Sequence, residues 1–90
     1  MQHEYDPAKS AANKEKHGID FEEAQAIWDD PCAITAAAQS EIESRFLVIG
    51  RIHEVLWTAV ITYRGDAVRI ISVRRARKIE ETRYDEINNG

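Results

Sequence analysis

The stretch from Val55 to Val73 constrains the fold most. Val55–Tyr63 is an apolar run rich in β-branched and aromatic residues, Arg64-Gly65-Asp66 is a turn, and Val68–Val73 is a second apolar run. Two such runs on either side of a Gly-Asp pair predict a β-hairpin. Five arginines hang around it: Arg64, Arg69, Arg74, Arg75 and Arg77. A strand pair that must bury at least one face has to aim those guanidinium groups at solvent, at acids elsewhere in the chain, or at an anionic ligand.

With Gly65-Asp66 as a two-residue loop, Arg64 pairs with Ala67 and Thr62 with Arg69. Strict alternation then puts Thr62, Arg64, Arg69, Ile71 and Val73 on one face. Ile61, Tyr63, Val68, Ile70, Ser72 and Arg74 fall on the other. Arg64 and Arg69 become diagonal neighbours, an arrangement suited to clamping a phosphate. The competing reading is that each guanidinium pairs with an acid such as Glu43 or lies along the surface.

The preceding half of the chain reads as helical. Asp6-Pro7 is a helix start, an acceptor side chain followed by a proline that loses no needed donor. The helix runs through Ala8, Ala11 and Ala12 to Lys16 or His17, where Gly18 can take the left-handed closing position. Its alanine face predicts close packing. Asp20 opens a second helix with Glu23 at capping-box spacing, and Phe21, Ala24, Ile27 and Trp28 form its apolar stripe. Asp29-Asp30-Pro31 stops it.

Strands follow at Cys32–Ala37 and Arg45–Gly50, with Gln39–Glu43 as a loop between them. A last helix is expected over Arg75–Ile87, with Asn88-Asn89-Gly90 fraying. Gln2–Tyr5 reads as a short edge strand. The expected order is (β)ααββββα in a single domain spanning residues 1–90. This is an α+β fold in which a helix pair precedes a four-stranded antiparallel sheet and a C-terminal helix. With the helices on one face, the other is left open for a ligand.

Charge sharpens the functional question. The chain carries a net charge of −4, yet between Arg64 and Arg83 seven basic residues stand against three acids. One segment is thus locally cationic in an acidic protein, and distribution rather than the total decides whether an anion is drawn in. No apolar run is long enough to cross a bilayer. The opening residues do not read as a secretory signal, and the single cysteine, Cys32, fits a reducing cytoplasmic setting as a small buried hydrophobe. His3, His17 and His53 lack metal-ligand spacing, so no metal or cofactor is expected. Lys14, Lys16 and His17 form a second cationic cluster at the end of the first helix. There they also complement the helix dipole, and His17 can exchange protons near neutral pH. Tyr84 can stack on a base or anchor its helix.

Several blocks together resemble the BrnT family of toxins. The opening is Glu4-Tyr5-Asp6-Pro7-x-Lys9, then Asn13-x-x-Lys16-His17-Gly18-Ile19-x-Phe21-x-x-Ala24. Asp29-Asp30-Pro31, Glu43-x-Arg45, Ile49-Gly50 and Tyr63-Arg64-Gly65 continue it. Arg69-Ile70-Ile71-Ser72-x-Arg74-x-Ala76-x-x-x-Glu80-x-x-Arg83-Tyr84 completes it. The resemblance implies a RelE-like fold and a metal-independent endoribonuclease that cuts mRNA and blocks translation. It also implies a BrnA-type DNA-binding antitoxin as partner, expected in a 2:2 hetero-oligomer. Lys16, His17, Arg64, Arg69 and Arg74 carry over as catalytic residues, with His17 or Lys16 the proton-transfer group. Lys14, Arg77 and Tyr84 are expected to bind substrate. The alternative is a non-catalytic module that binds protein or RNA through the arginine-rich sheet face.

Overall fold

The computed structural model describes residues 2–39, 41 and 43–89. It is α+β, built on one five-stranded sheet: β1 (Gln2–Glu4), β2 (Ile34–Ala38), β3 (Arg45–Ile52), β4 (Val55–Arg64) and β5 (Ala67–Arg75), in the order β1-β5-β4-β3-β2. Helix α1 (Pro7–His17), a 3₁₀ helix (Glu23–Asp29) and helix α2 (Lys78–Asn89) complete it. The β2–β5 meander is antiparallel as expected, but β1 joins β5 in parallel, so the sheet is mixed and five-stranded rather than four-stranded and antiparallel. A parallel edge strand needs a crossover before its neighbour, and residues 5–66 supply one.

The hairpin has the expected register, Arg64 opposite Ala67 and Thr62 opposite Arg69. Gly65 takes φ +58° in the two-residue loop while Asp66 stays at negative φ, the requirement of a type II′ turn. Four residues on, the pairing slips. Ile61 faces Ile70, but Val60 faces Ser72, so Ile71 is an extra residue in β5. This bulge inverts the parity beyond it. Val73 turns into the core beside Ala59, both fully buried, and Arg74 comes opposite Thr58. Thr58 and Thr62 lie on the same side of β4, so Arg74 shares the face of Arg69. The alternation read from sequence had put it on the reverse.

One face of the sheet carries the larger core. Val48, Ala59, Ile61, Val68, Ile70 and Val73 pack under Ile19, Phe21, Ala24 and Ile27 from the segment after α1. The capping box is present, with Glu23 N–H donating to Asp20 Oδ1 at 2.7 Å and Asp20 N–H to Glu23 Oε1 at 3.0 Å. The turn it opens is 3₁₀ rather than α, and Trp28 is half-buried, edge-on to His3 at 4.5 Å. Gly50 allows this layer to close. A Cβ there would stand 2.8 Å from Ile27 Cγ2 and 2.9 Å from the Ile27 carbonyl oxygen.

Helix α1 packs differently from expectation. Ala8, Ala11 and Ala12 are exposed, and the buried residues are Ser10 and Asn13. Beyond the three residues of β1 the edge of β5 has no strand partner among the described residues, and Asn13 takes that place. Its Nδ2 donates to the Val73 carbonyl at 2.9 Å and its Oδ1 accepts from the Val73 N–H at 3.1 Å, one rung of a ladder made by a side chain. Gly18 ends the helix at φ +81°.

The helices do not share one face. Helix α2 lies across the other side, where Tyr84 packs with Ile49 and Leu56. It is anchored at its end by Asn88 Nδ2, which donates to the Cys32 carbonyl at 3.1 Å, so Asn88 and Asn89 are helical rather than frayed. Cys32 is exposed rather than buried. Of the expected loop at Gln39–Glu43, Ser40 and Ile42 lie outside the described residues, as does Gly90.

Replacing Gly50 by Ala is expected to destabilise the chain by about 1–3 kcal/mol, because the new methyl meets backbone that cannot step aside. Urea unfolding checks this: the midpoint should fall with the slope unchanged.

Candidate functional site

The five hairpin arginines have four different surroundings. Arg75 stands over the Trp57 ring, 5.8 Å from its centroid. Arg77 precedes α2, where its N–H donates to Glu80 Oε1 at 2.8 Å, the back-bond of a capping box. Arg74 forms a two-pronged pair with Glu80, Nη1 to Oε1 at 2.7 Å and Nη2 to Oε2 at 2.9 Å. Arg64 and Arg69 remain on the part of the sheet that α2 does not cover.

Those two converge. Arg69 Nη1 lies 3.5 Å and Arg64 Nε 3.9 Å from the same oxygen, Oε1 of Glu4. The reason is topological: parallel pairing sets Glu4 directly beside Arg69, and the two-residue turn brings Arg64 to the same face. Both contacts are longer than the ~2.7–2.9 Å of a charge-assisted hydrogen bond. The side chains are 40% (Glu4), 30% (Arg69) and 59% (Arg64) exposed. Two guanidinium groups thus share one loosely held carboxylate at the open end of the sheet. Arg45 joins the same side. Phe46 pairs with Ile61, which brings Arg45 alongside Thr62 and so into the row that continues through Arg69 to Glu4. Its Nε lies 3.4 Å from Glu43 Oε1.

Arg74 is on this face but engaged. Glu80 also accepts from the Thr58 hydroxyl at 2.9 Å, and Thr58 is fully buried. Burial by itself would push the Glu80 carboxyl up. The hydrogen bonds from Arg74, the Arg77 N–H and Thr58, with the charge of Arg74, outweigh it and hold Glu80 down at about 2. The hydrogen bond to Glu80 raises Arg74 in turn. This group fastens the start of α2 to the centre of the sheet.

The other expected site residues lie elsewhere. Lys14 is bonded to Glu23 at 2.7 Å on the surface. Lys16 and His17 end α1, one turn past Asn13, and Asn13 is held at Val73. Val73 lies four residues along β5 from Arg69, and among the described residues neither Lys16 nor His17 is bonded to Arg64 or Arg69. Tyr84 is buried, and its hydroxyl donates to Asp30 Oδ2 at 2.7 Å. Burial, then that hydrogen bond, pushes the phenol up. Arg51 covers its ring at 5.6 Å from the centroid. Its ring is therefore packed between elements rather than offered to a base.

Glu4 and Arg45 are the residues that strand-by-strand reading missed at this patch. Arg45 was legible from the parity of β3 once its register was known. Glu4 depends on a parallel pairing across sixty residues, which no local pattern announces.

A family model for the ribonuclease toxin BrnT of type II toxin–antitoxin systems matches residues 5–80. The chain belongs to the BrnT family. Membership makes it a ribonuclease toxin of a type II system, with an antitoxin as its partner. The match begins immediately after Glu4 and includes all five hairpin arginines. Comparison with curated proteins gives no match. Among the described residues no helix is long and apolar enough to cross a membrane.

The low value at Glu80 fixes a pH dependence. A carboxyl depressed in the folded chain contributes stability above its unfolded value of about 4.5 and loses it as pH falls toward 2. The depression corresponds to on the order of 3 kcal/mol. Glu80→Gln is expected to lower stability near pH 7 by that order, with the gap to the unaltered chain closing between pH 5 and pH 2. Chemical denaturation across that range reads it directly.

Proposed function

We propose that this BrnT-family chain cleaves mRNA at the open end of its sheet, with Arg64 and Arg69 holding the scissile phosphate. The observation that carries this is their convergence on a single carboxylate oxygen, 3.5 and 3.9 Å away. Two guanidinium groups that meet at one anionic oxygen can meet at a phosphoryl oxygen. Each guanidinium has further N–H donors besides the one that faces Glu4. In RNA cleavage by the neighbouring 2′-hydroxyl, negative charge grows on the phosphoryl oxygens as the new P–O bond forms, and fixed cations favour that transition state over the ground state.

Arg74 acts at one remove, by fixing α2 and the far end of the same face through Glu80. Lys16 and His17 serve as a second cationic point near the other end of β5 for a longer RNA strand, and Lys14 and Arg77 as outer contacts. The cleavage is metal-independent, inhibits translation, and takes place in the cytoplasm. The fold is a RelE-like variant extended by the parallel strand β1. The antitoxin is of the BrnA type, in a 2:2 assembly, and neutralises the toxin.

Purified protein carrying both Arg64→Ala and Arg69→Ala is expected to lose RNA cleavage by at least ~10²-fold, the scale for losing fixed stabilisation of a transition state. The unaltered chain is expected to keep its activity in EDTA. Undiminished cleavage by the double variant rejects this site. Loss of activity in EDTA alone rejects metal independence. Gel shifts with RNA left intact by the unaltered chain would favour a binding module instead.

A further inference from the structure

We propose that Glu4 is the general base of the cleavage, taking the proton from the attacking 2′-hydroxyl; this rests on the reading of Arg64 and Arg69 as the phosphate site. Three observations on the open face select it. First, among the contacts of the described residues, Glu4 is a carboxylate that faces both arginines. Second, it is not saturated: its contacts are 3.5 and 3.9 Å long, and its side chain is part exposed. Glu80 is the contrast. Its two oxygens accept four hydrogen bonds of 2.7–2.9 Å from Arg74, Arg77 and Thr58, and little capacity remains for a substrate. Third, Glu4 is set by the sheet rather than by a loop, directly opposite Arg69 in the parallel ladder.

The chemistry follows from adjacency. In RNA the 2′-hydroxyl is the nucleophile next to the phosphate it attacks, separated from phosphorus by ~3–3.5 Å in a reactive conformer. A phosphate bridging Arg64 and Arg69 therefore brings its 2′-hydroxyl up to the carboxylate that both already face. Glu4 takes the hydroxyl proton as the 2′-oxygen lone pair forms the new bond to phosphorus. The bond from phosphorus to the 5′-oxygen breaks, and its electron pair leaves on that oxygen, which takes a proton from water. The resulting hydroxide is neutralised by the proton that Glu4 then releases. The products are a 2′,3′-cyclic phosphate and a 5′-hydroxyl. No oxidant or second reactant is needed.

Glu4 thereby takes the proton-transfer role expected from sequence of His17 or Lys16. A simpler role for Glu4, as a plug that keeps anions out of an unused site, predicts instead that Glu4→Gln leaves kcat undiminished.

The test is steady-state cleavage of a short RNA by the Glu4→Gln chain, with folding checked by circular dichroism. Binding of the same RNA carrying 2′-O-methyl groups, which cannot be cut, is measured beside it. A general base is expected to show as a kcat lowered by ~10²-fold or more. The 2′-O-methyl RNA should bind as tightly as before or tighter, and the acidic limb of the kcat/KM profile should disappear. Glu4→Asp, which keeps a carboxylate, is expected to retain part of kcat and the acidic limb, and it serves if Glu4→Gln does not fold. A Glu4→Gln chain with unreduced kcat and an unchanged pH profile overturns the proposal, as does a Glu4→Asp chain as inactive as the arginine double variant. Undiminished cleavage by that double variant would sink the phosphate site itself, whatever Glu4 variants do.

Discussion

The one-residue slip between β4 and β5 is the constraint on which the rest of this architecture depends. On its hairpin side, Thr62 faces Arg69 and the arginines point away from the main core. Past it, Val73 completes that core and Arg74 returns to the arginine face beside Thr58. Without the extra residue Ile71, continued alternation would drive Arg74 into the layer under Phe21 and Ile27 and turn Val73 outward. A buried unpaired guanidinium costs several kcal/mol, far more than a local break in a ladder. The bulge lets one strand of the hairpin satisfy two demands that strict alternation makes incompatible. It also sets where α2 can attach, because Glu80 reaches Arg74 and Thr58 only if both lie on that side.

From this follows a division of labour among like residues. Arg74, bonded twice to a carboxylate that is itself held by a hydroxyl and a backbone N–H, is fixed and mostly withdrawn from solvent. Its charge is spent inside the fold. Arg64 and Arg69, sharing a single acid through long contacts, contribute little to stability, since exposed pairs of this kind are worth ~0–1 kcal/mol. What does not hold the fold together is available to bind. Asp30 plays the anchoring part on the opposite side of α2. It accepts from the Arg51 N–H, the Cys32 N–H and the Tyr84 hydroxyl, and those bonds outweigh burial and keep its carboxyl low.

Much of this was legible in sequence because the signals were local. The Gly65 turn fixed the register of the hairpin, Asp6-Pro7 and Gly18 bounded α1, and Asp20 with Glu23 marked the capping box. The failures share one cause, which is dependence on distant partners. The buried face of α1 is polar because Asn13 replaces a missing strand at Val73, sixty residues on, and alanine content says nothing about that. The bulge is hidden because Ile70-Ile71-Ser72-Val73 is apolar enough to read either way. For Tyr84 the residues left base stacking and helix anchoring both open, and only the distant Asp30, which receives its hydroxyl, decides for anchoring. Pairing of Glu4 with Arg69 depends on β1 crossing to the far edge of the sheet.

The acidity of the whole chain bears on how such a site operates. A net charge of −4 gives no long-range attraction for RNA, and at physiological salt fields beyond ~8 Å are largely screened. On the proposed reading, recognition depends on contacts at the patch, where Arg64, Arg69 and Arg45 stand against Glu4 and Glu43. Two acids among three arginines leave a small net positive charge, enough to orient a phosphate at short range and too little to hold a nucleic acid by charge alone. Weak ground-state binding is compatible with fast cleavage. Only interactions that strengthen as charge builds on the phosphoryl oxygens accelerate the reaction, and a guanidinium pair shared with one carboxylate does strengthen when that carboxylate takes up a proton. On this view Glu4 and the two arginines form one unit, in which proton transfer to the acid frees both cations for the transition state.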